Sequence, residues 1–255
     1  VTGYRQTNGW ARTRTVYFAM EFSKPFKSYG FKNFGKEDYK GFWRKFDQTR
    51  NFPEMAGKQI RAYFDFDAAP NEKVQIKFAI SPVSTEGAIS NLRSEIPDWD
   101  FERVKRESQA AWERELSKIA ITTIDESDKT NFYTALYHAM LSPTVYMDTD
   151  GQYKGLDQNV HSTMRKPARE QGLNSQRPQQ ALTNVRASAS GGTDFTNYTT
   201  FSLWDTYRAL HPLLNIIQPA RNRDMVRSML AHYDQSVHHM LPVWSHYANE
   251  NWCMI

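Results

Sequence analysis

Residues Phe195–Pro212 read FTNYTTFSLWDTYRALHP, and the second half of the chain is organised around them. Phe195, Tyr198, Phe201, Trp204 and Tyr207 crowd around one acid and one base, Asp205 and Arg208. From Leu203 the apolar residues recur at Leu203, Tyr207, Leu210, Leu214 and Ile217, the spacing of one helix face. Pro212 is expected to bend or end that helix, and Pro219 marks the next break. Asp205 and Arg208 lie three apart, so they share a face with each other and not with the apolar stripe. Two chemistries are open. Aromatic rings stack on the C–H faces of sugars while a carboxylate grips their hydroxyls, so an acid framed by Trp204 and Tyr207 suits a sugar site. The same residues also suit an intrahelical ion pair beside a core tryptophan.

Outward from this stretch, Pro219 opens another helix with Met225, Met229, Tyr233 and Ser236 along one face and Val226 and Leu230 beside them. Two helices joined by a short Gln218-Pro219 link predict an αα-hairpin. Beyond them, LPVWSHYANENW (residues 241–252) reads as a proline-opened, Asn-rich loop carrying Trp244, His246, Glu250 and Trp252. A second acid between tryptophans suits a sugar pocket. His232, His238 and His239 lack the HExxH spacing of a zinc site.

The first ninety residues carry a different period. Val16, Phe18, Met20 and Phe22 alternate, as do Ile60, Ala62, Phe64 and Phe66, and then Val74, Ile76, Phe78 and Ile80. Such alternation predicts antiparallel sheet with one wet face, hence a sandwich. The turn-rich DAAPNE between the last two runs suggests that they form a hairpin. Residues 31–57, charged and aromatic, read as an excursion between strands, and Thr7–Trp10 as a turn. From Pro97 the period becomes helical: Phe101, Val104, Ala111, Trp112, Leu116 and Ile119 form a stripe, with Asp98 and Asp100 as caps. A second helix carries Phe132, Leu136 and Met140 and ends by Pro143. YMDTDGQYKGLD (residues 146–157) has the acids of a calcium loop but misses the EF-hand spacing. It reads as a polar turn or a hairpin tipped by Asp150-Gly151.

The net charge of +4 resides in residues 162–192, where Arg165, Lys166, Arg169, Arg177 and Arg186 face a single acid, Glu170. That segment is polar and without periodicity, so it reads as a flexible insert, either a flap near a substrate mouth or a tolerated surface insertion. A basic loop without interleaved aromatics is no nucleic-acid footprint, and no nucleic-acid partner is expected. No apolar run reaches the length of a membrane span. The single Cys253 excludes an internal disulfide. The chain opens at Val1 without a methionine and closes within the apolar run Trp252–Ile255, so it reads as an internal fragment of a longer protein.

FTNYTTFSLWDTYRALHPLL, MLAHYDQS and LPVWSHYANENWCMI resemble glycoside hydrolase family 92, the calcium-dependent exo-α-mannosidases, and the likeness extends upstream through TNGWAR, EFSKPF, ISPVSTEGA, YTALYHAML and YMDTDGQYKGLD. The resemblance implies a multidomain α+β fold. Residues 1–96 would be the C-terminal part of an antiparallel β-sandwich and 97–142 linker helices. Residues 143–255 would be the first helices of an (α/α)6 toroid. It implies inverting hydrolysis of terminal α-1,2- or α-1,3-linked mannose, with calcium as cofactor and a mannose-containing oligosaccharide and the rest of the parent polypeptide as partners. A secreted or periplasmic location follows from the same resemblance. Asp205 would bind mannose hydroxyls, while Trp10, Trp204, Arg208, Glu250 and Trp252 would line or support the pocket. Asp157 is a further binding candidate. The catalytic acid and base and the calcium ligands are expected beyond Ile255, so the chain alone is expected to be catalytically incomplete. The alternatives are a carbohydrate-binding fragment without catalysis and a structural or interaction domain.

Overall fold

The computed structural model describes residues 1–33, 42–47, 52–57, 60–163, 195–241 and 243–251. The insert from residue 164 onward and Trp252 lie outside the described residues. In chain order the strands of the first part are β1 (Thr2–Thr7), β2 (Arg14–Phe22), β3 (Ser28–Asn33), β4 (Phe42–Asp47), β5 (Phe52–Ala56), β6 (Ile60–Asp65) and β7 (Ile76–Ser81). Helices α1 (Thr85–Glu95), α2 (Phe101–Leu116) and α3 (Glu126–Ala139) follow. Short strands β8 (Thr144–Val145), β9 (Gln152–Lys154), β10 (Val160–Ser162) and β11 (Tyr198–Thr199) lead to α4 (Leu203–Thr206), α5 (Leu210–Ile217), α6 (Pro219–Gln235), β12 (Trp244–His246) and β13 (Asn249–Asn251). The fold is thus α+β, with antiparallel sheet first and helices after it.

The chain forms two compact units, Glu21–Lys77 and the remainder. Within Glu21–Lys77, β3 pairs antiparallel with β6 and β4 with β5. The rings of Phe22, Phe26, Phe64 and Phe66 pack at centroid distances of 5.1–6.1 Å. Residues 31–57, expected as an excursion, therefore include a strand pair of their own. The expected hairpin across DAAPNE does not form, because β6 pairs with β3 whereas β7 joins the sheet β1-β2-β7. Alternation fixes which side chains share a face; it does not choose a strand's partner.

In the other unit, the sheet packs on α1 through the small side chains of Ala19, Ala79 and Ala88 with Leu92. β7 inverts the usual burial. Ala79 and Ser81 point inward while Phe78 and Ile80 are half-exposed. Small residues let the helix approach the sheet closely, and the large ones occupy the opposite face. Helix α1 is a departure from the β reading of residues 1–90. Its start is written in Ser84, whose hydroxyl accepts from the Gly87 amide at 2.9 Å. Helices α2 and α3 begin where carboxylates cap them, Asp100 on the Arg103 amide and Asp125 on the Ser127 amide. Trp112 packs on Tyr137 between them, with ring centroids 4.6 Å apart.

The long helix expected from Leu203 is two helices. The break falls at Tyr207–Ala209, and Pro212 sits in the first turn of α5, where its missing N–H would have had no partner in any case. Tyr207, expected on the apolar stripe, is exposed. Leu203, Leu210 and Leu214 do pack together, with Tyr198, Phe201, Met225 and Met229. The buried face of α6 is more polar than its methionine pattern implied. Asn222, Ser228 and His232 are buried, and Tyr233, Val226 and Leu230 are not. Each of these three side chains is paired. Ser228 Oγ accepts from the Tyr198 amide (2.9 Å), and Asn222 Oδ1 bonds His211 Nδ1 (2.8 Å). The turn at Asp148–Gln152, with Gly151 at φ 80°, is present, but β8 pairs with β11 and β9 with β10. Asp150-Gly151 therefore connects two different ladders and does not tip a hairpin.

Candidate functional site: a tryptophan-framed carboxylate

The segment expected as an Asn-rich loop is a hairpin, with Trp244 opposite Asn251, Ser245 opposite Glu250 and His246 opposite Asn249. Its tip residues, Tyr247 and Ala248, both have positive φ (48° and 60°), the handedness of a type I′ turn. Such turns favour Asn-Gly, so Tyr-Ala carries no sequence signal for one. Tertiary contacts hold it instead. The Arg14 guanidinium lies 3.5 Å over the Tyr247 ring, the Tyr247 amide donates to Thr199 Oγ1 (2.7 Å), and Gln158 Nε2 donates to the Ala248 carbonyl (2.5 Å). Thr200 is also left-handed, at φ 66°, and its amide and that of Phe201 converge on the Ser245 carbonyl (2.9 and 3.1 Å). A β-branched residue in that region is a genuine outlier, and strain of this kind concentrates at functional sites.

Trp10, on the loop between β1 and β2, meets this hairpin. Its ring lies 6.0 Å from that of Trp244, edge to face, and 6.3 Å from that of His246, yet it remains 59% exposed. Trp244 is buried, and its Nε1–H donates to Ser202 Oγ at 2.8 Å. Ser202 Oγ–H in turn donates to Asp205 Oδ2. Asp205 itself is exposed on α4 beside Trp204, which is 57% exposed. Its Oδ1 has no partner among the described residues. The structure thus links Asp205 to Trp10 through Ser202 and Trp244, and Trp204 is tied to Asp205 only as its neighbour in sequence. An open carboxylate oxygen can accept hydroxyl hydrogens, and an exposed indole ring can cover a sugar's C–H face.

Arg208 and Glu250 are placed differently. Arg208 forms no ion pair with Asp205; its Nε donates to Tyr207 OH, and its guanidinium sits 5.1 Å from that ring. The intrahelical ion pair is therefore absent. Glu250, on β13, accepts from Ser236 Oγ at 2.8 Å and shares no partner with Asp205. Asp157 has both oxygens engaged, by His161 Nε2 (2.9 and 3.0 Å) and by the Asn159 amide and side chain. Burial works to raise its pKa, but those hydrogen bonds prevail and hold it below the usual carboxylate range. It closes its own loop. Beneath the hairpin, Ser245 Oγ pairs with His232 Nδ1 (2.9 Å), and burial pushes His232 down to about 4, leaving a neutral imidazole. Burial also lowers the pKa of His246, against a hydrogen bond to the Phe201 backbone.

Sequence reasoning did not single out Ser202, Arg14 or Tyr247. Ser202 was within reach, since a serine three residues before an acid at the start of a helix is a capping signature. Arg14 and Tyr247 were not, being remote in sequence and joined only by the fold. No group of three or more His, Cys, Asp or Glu side chains among the described residues could hold a metal ion.

Family models match both parts of the chain: the glycosyl hydrolase family 92 N-terminal domain over residues 1–81 and the family's catalytic domain over residues 87–255. The chain belongs to glycosyl hydrolase family 92. Among solved structures it is similar to the family GH92 α-mannosidase BT3965 from Bacteroides thetaiotaomicron, with 39% identity over 100% of this chain and 30% of that one, at a TM-score of 0.77. The same enzyme in complex with mannoimidazole matches at 39% identity over 99% of this chain and 29% of that one, also at a TM-score of 0.77. The inverting GH92 mannosidase BT2199 from B. thetaiotaomicron shares the fold at 24% identity and a TM-score of 0.73, over 100% of this chain and 29% of that one. A curated relative, an uncharacterized secreted glycosidase of Arthroderma benhamiae, is 32% identical over 90 residues, which is 33% of this chain and 12% of the relative. The chain spans about a third or less of each of these proteins.

Proposed function

We propose that the protein is an exo-acting α-mannosidase that hydrolyses terminal α-1,2- or α-1,3-linked mannose, and that this chain supplies the part of the pocket that grips the sugar. The carrying observation is Asp205: one oxygen is anchored by Ser202, the other has no partner among the described residues, and the same Ser202 holds Trp244, on which the exposed Trp10 packs. In this reading the Asp205 carboxylate accepts hydroxyl hydrogens of the terminal mannose, and Trp10 and Trp204 cover its apolar edges. Arg208 and Glu250 support the rim. The mannoimidazole complex of a 39%-identical relative supports a mannose-type ligand. Glycoside hydrolysis needs two carboxylates flanking the scissile bond, set about 6.5–9.5 Å apart in an inverting enzyme. Following the family resemblance, we place the acid and base, and the ligands of a calcium ion, elsewhere in the protein.

The same proposal covers the architecture. The half-exposed Phe78 and Ile80 on β7 are the inner face of a β-sandwich whose further strands lie outside this chain, and α4 to α6 begin the helical toroid. Secretion is supported by the secreted A. benhamiae relative, and no helix among the described residues is long and apolar enough to cross a membrane.

The test is mannose release from an α-1,2-linked mannobiose by the full-length protein, with calcium and then with a chelator. Release with calcium, β-anomer first, and its loss on chelation is the expected result. Mannose binding without release under either condition would instead establish a non-catalytic carbohydrate-binding protein.

A further inference from the structure

Ser202 stands at the N-cap of α4, where a serine ordinarily accepts a hydrogen bond from an amide of the first turn. Here its side chain makes no cap bond. Its oxygen accepts the Trp244 indole N–H (2.8 Å) and its hydrogen goes to Asp205 Oδ2. An indole nitrogen can only donate, so the direction of the Ser202 hydroxyl is determined: it must accept from Trp244, and its one hydrogen is left for the carboxylate. The frame around this relay is stiff. The Leu203 amide donates to the Val243 carbonyl (3.0 Å), and the Thr200 and Phe201 amides both donate to Ser245. The same Trp244 ring meets Trp10 edge to face.

We infer that Ser202 and Trp244 are positioning residues for Asp205, forming a relay that sets the carboxylate's rotation and ties it to the Trp10 platform. This rests on the proposed role of Asp205 in gripping the sugar. The relay takes one oxygen of the carboxylate out of play and aims the other outward, so Asp205 meets a hydroxyl without first losing rotational freedom.

The test uses the full-length enzyme on α-1,2-linked mannobiose. Ser202→Ala is expected to lower kcat/KM about tenfold, through loss of one hydrogen bond to a charged group. The loss appears as a higher KM, since the grip acts on substrate and transition state alike. Ser202→Thr, which keeps the hydroxyl, stays within about threefold of the parent, while Ser202→Ala also lowers thermal stability because it strands the buried Trp244 N–H. Trp244→Phe, which keeps a ring but not the N–H, shifts KM the same way and adds nothing to Ser202→Ala. In an Asp205→Ala background Ser202→Ala has no further effect. A purely structural serine would lower kcat/KM further in the Asp205→Ala background, and that result overturns the relay. So does a Ser202→Ala enzyme with parental KM while Asp205→Ala is crippled. An Asp205→Ala enzyme with parental kinetics would overturn the placement of Asp205 itself, and the relay with it.

Discussion

Two aspartates of this chain are each held by a serine, and they do opposite work. Asp148 is 3% exposed, and both of its oxygens are engaged. Ser81 Oγ donates to Oδ2 (2.7 Å) and Asn91 Nδ2 to Oδ1 (2.8 Å). Asn91 also donates to the Ile80 carbonyl (3.0 Å), and its Oδ1 accepts from the amide and hydroxyl of Thr149 (2.9 and 3.0 Å). A Cβ on Gly87 would collide with Asp148 Oδ2, so the helix approaches this carboxylate more closely than any other residue would allow. Asp205 has one anchored oxygen and one open one. A saturated, buried carboxylate joins β7, α1 and the turn after β8; a half-saturated, exposed one is left for a ligand. The distinction lies in what remains unpaired, and neither residue type nor the serine partner reveals it.

The largest expected effect separates the two roles outright. Asp205→Ala in the full-length enzyme lowers kcat/KM by about 100-fold or more, because a charged acceptor at the sugar is lost, while unfolding free energy moves by less than about 0.5 kcal/mol. Steady-state kinetics together with urea denaturation read both quantities, and a large stability loss would make Asp205 a second Asp148.

Acid sharpens the contrast. His232, paired with Ser245 beneath the hairpin, is pushed down to about 4 by burial. Its unfolded imidazole takes up a proton near pH 6.5 and the folded one does not, so stability is lost as pH falls from about 6.5 toward 4, by up to about 3 kcal/mol. Asp148 runs the other way. Burial raises its pKa against the Ser81 and Asn91 bonds, so protonation favours the folded form and stability attributable to it is regained as pH falls. Urea midpoints across this range should therefore fall for the parent and fall less for His232→Gln.

Asp148→Ala comes next, at about 2 kcal/mol, for it strands the donors of Ser81 and Asn91 in a buried place. Thermal unfolding of the variant gives the number, and KM for mannobiose should not follow it. The mildest perturbation is Ser84→Ala, which removes the α1 cap and should lower stability by about 1 kcal/mol in the same measurement. It loosens the helix that carries Asn91 and Gly87, so its effect should be smaller when Asp148 is already alanine.

Much of the fold was legible. Alternation marked β2, β6 and β7, carboxylates in front of apolar periodicity marked α2, and apolar spacing marked α3, because local geometry dictates where a strand or helix points its side chains. Pro219 correctly opened α6, since a proline at a first helical position wastes no hydrogen bond. The exposed pair Trp204-Asp205 at the start of α4 was legible because the two residues are adjacent in sequence.

What only the tertiary structure decided is partnership. It paired β6 with β3 and not with β7, and it split the helix at Tyr207–Ala209. It folded Trp244–Asn251 into a hairpin on a Tyr-Ala turn that Arg14 and Thr199 hold in place. It also brought Trp10 onto Trp244 across more than two hundred residues of chain. The physical reason is common to all four. Periodicity and capping are properties of a few consecutive residues, whereas strand pairing, strained turns and relays such as Trp244–Ser202–Asp205 take their energy from contacts between segments that the sequence holds far apart.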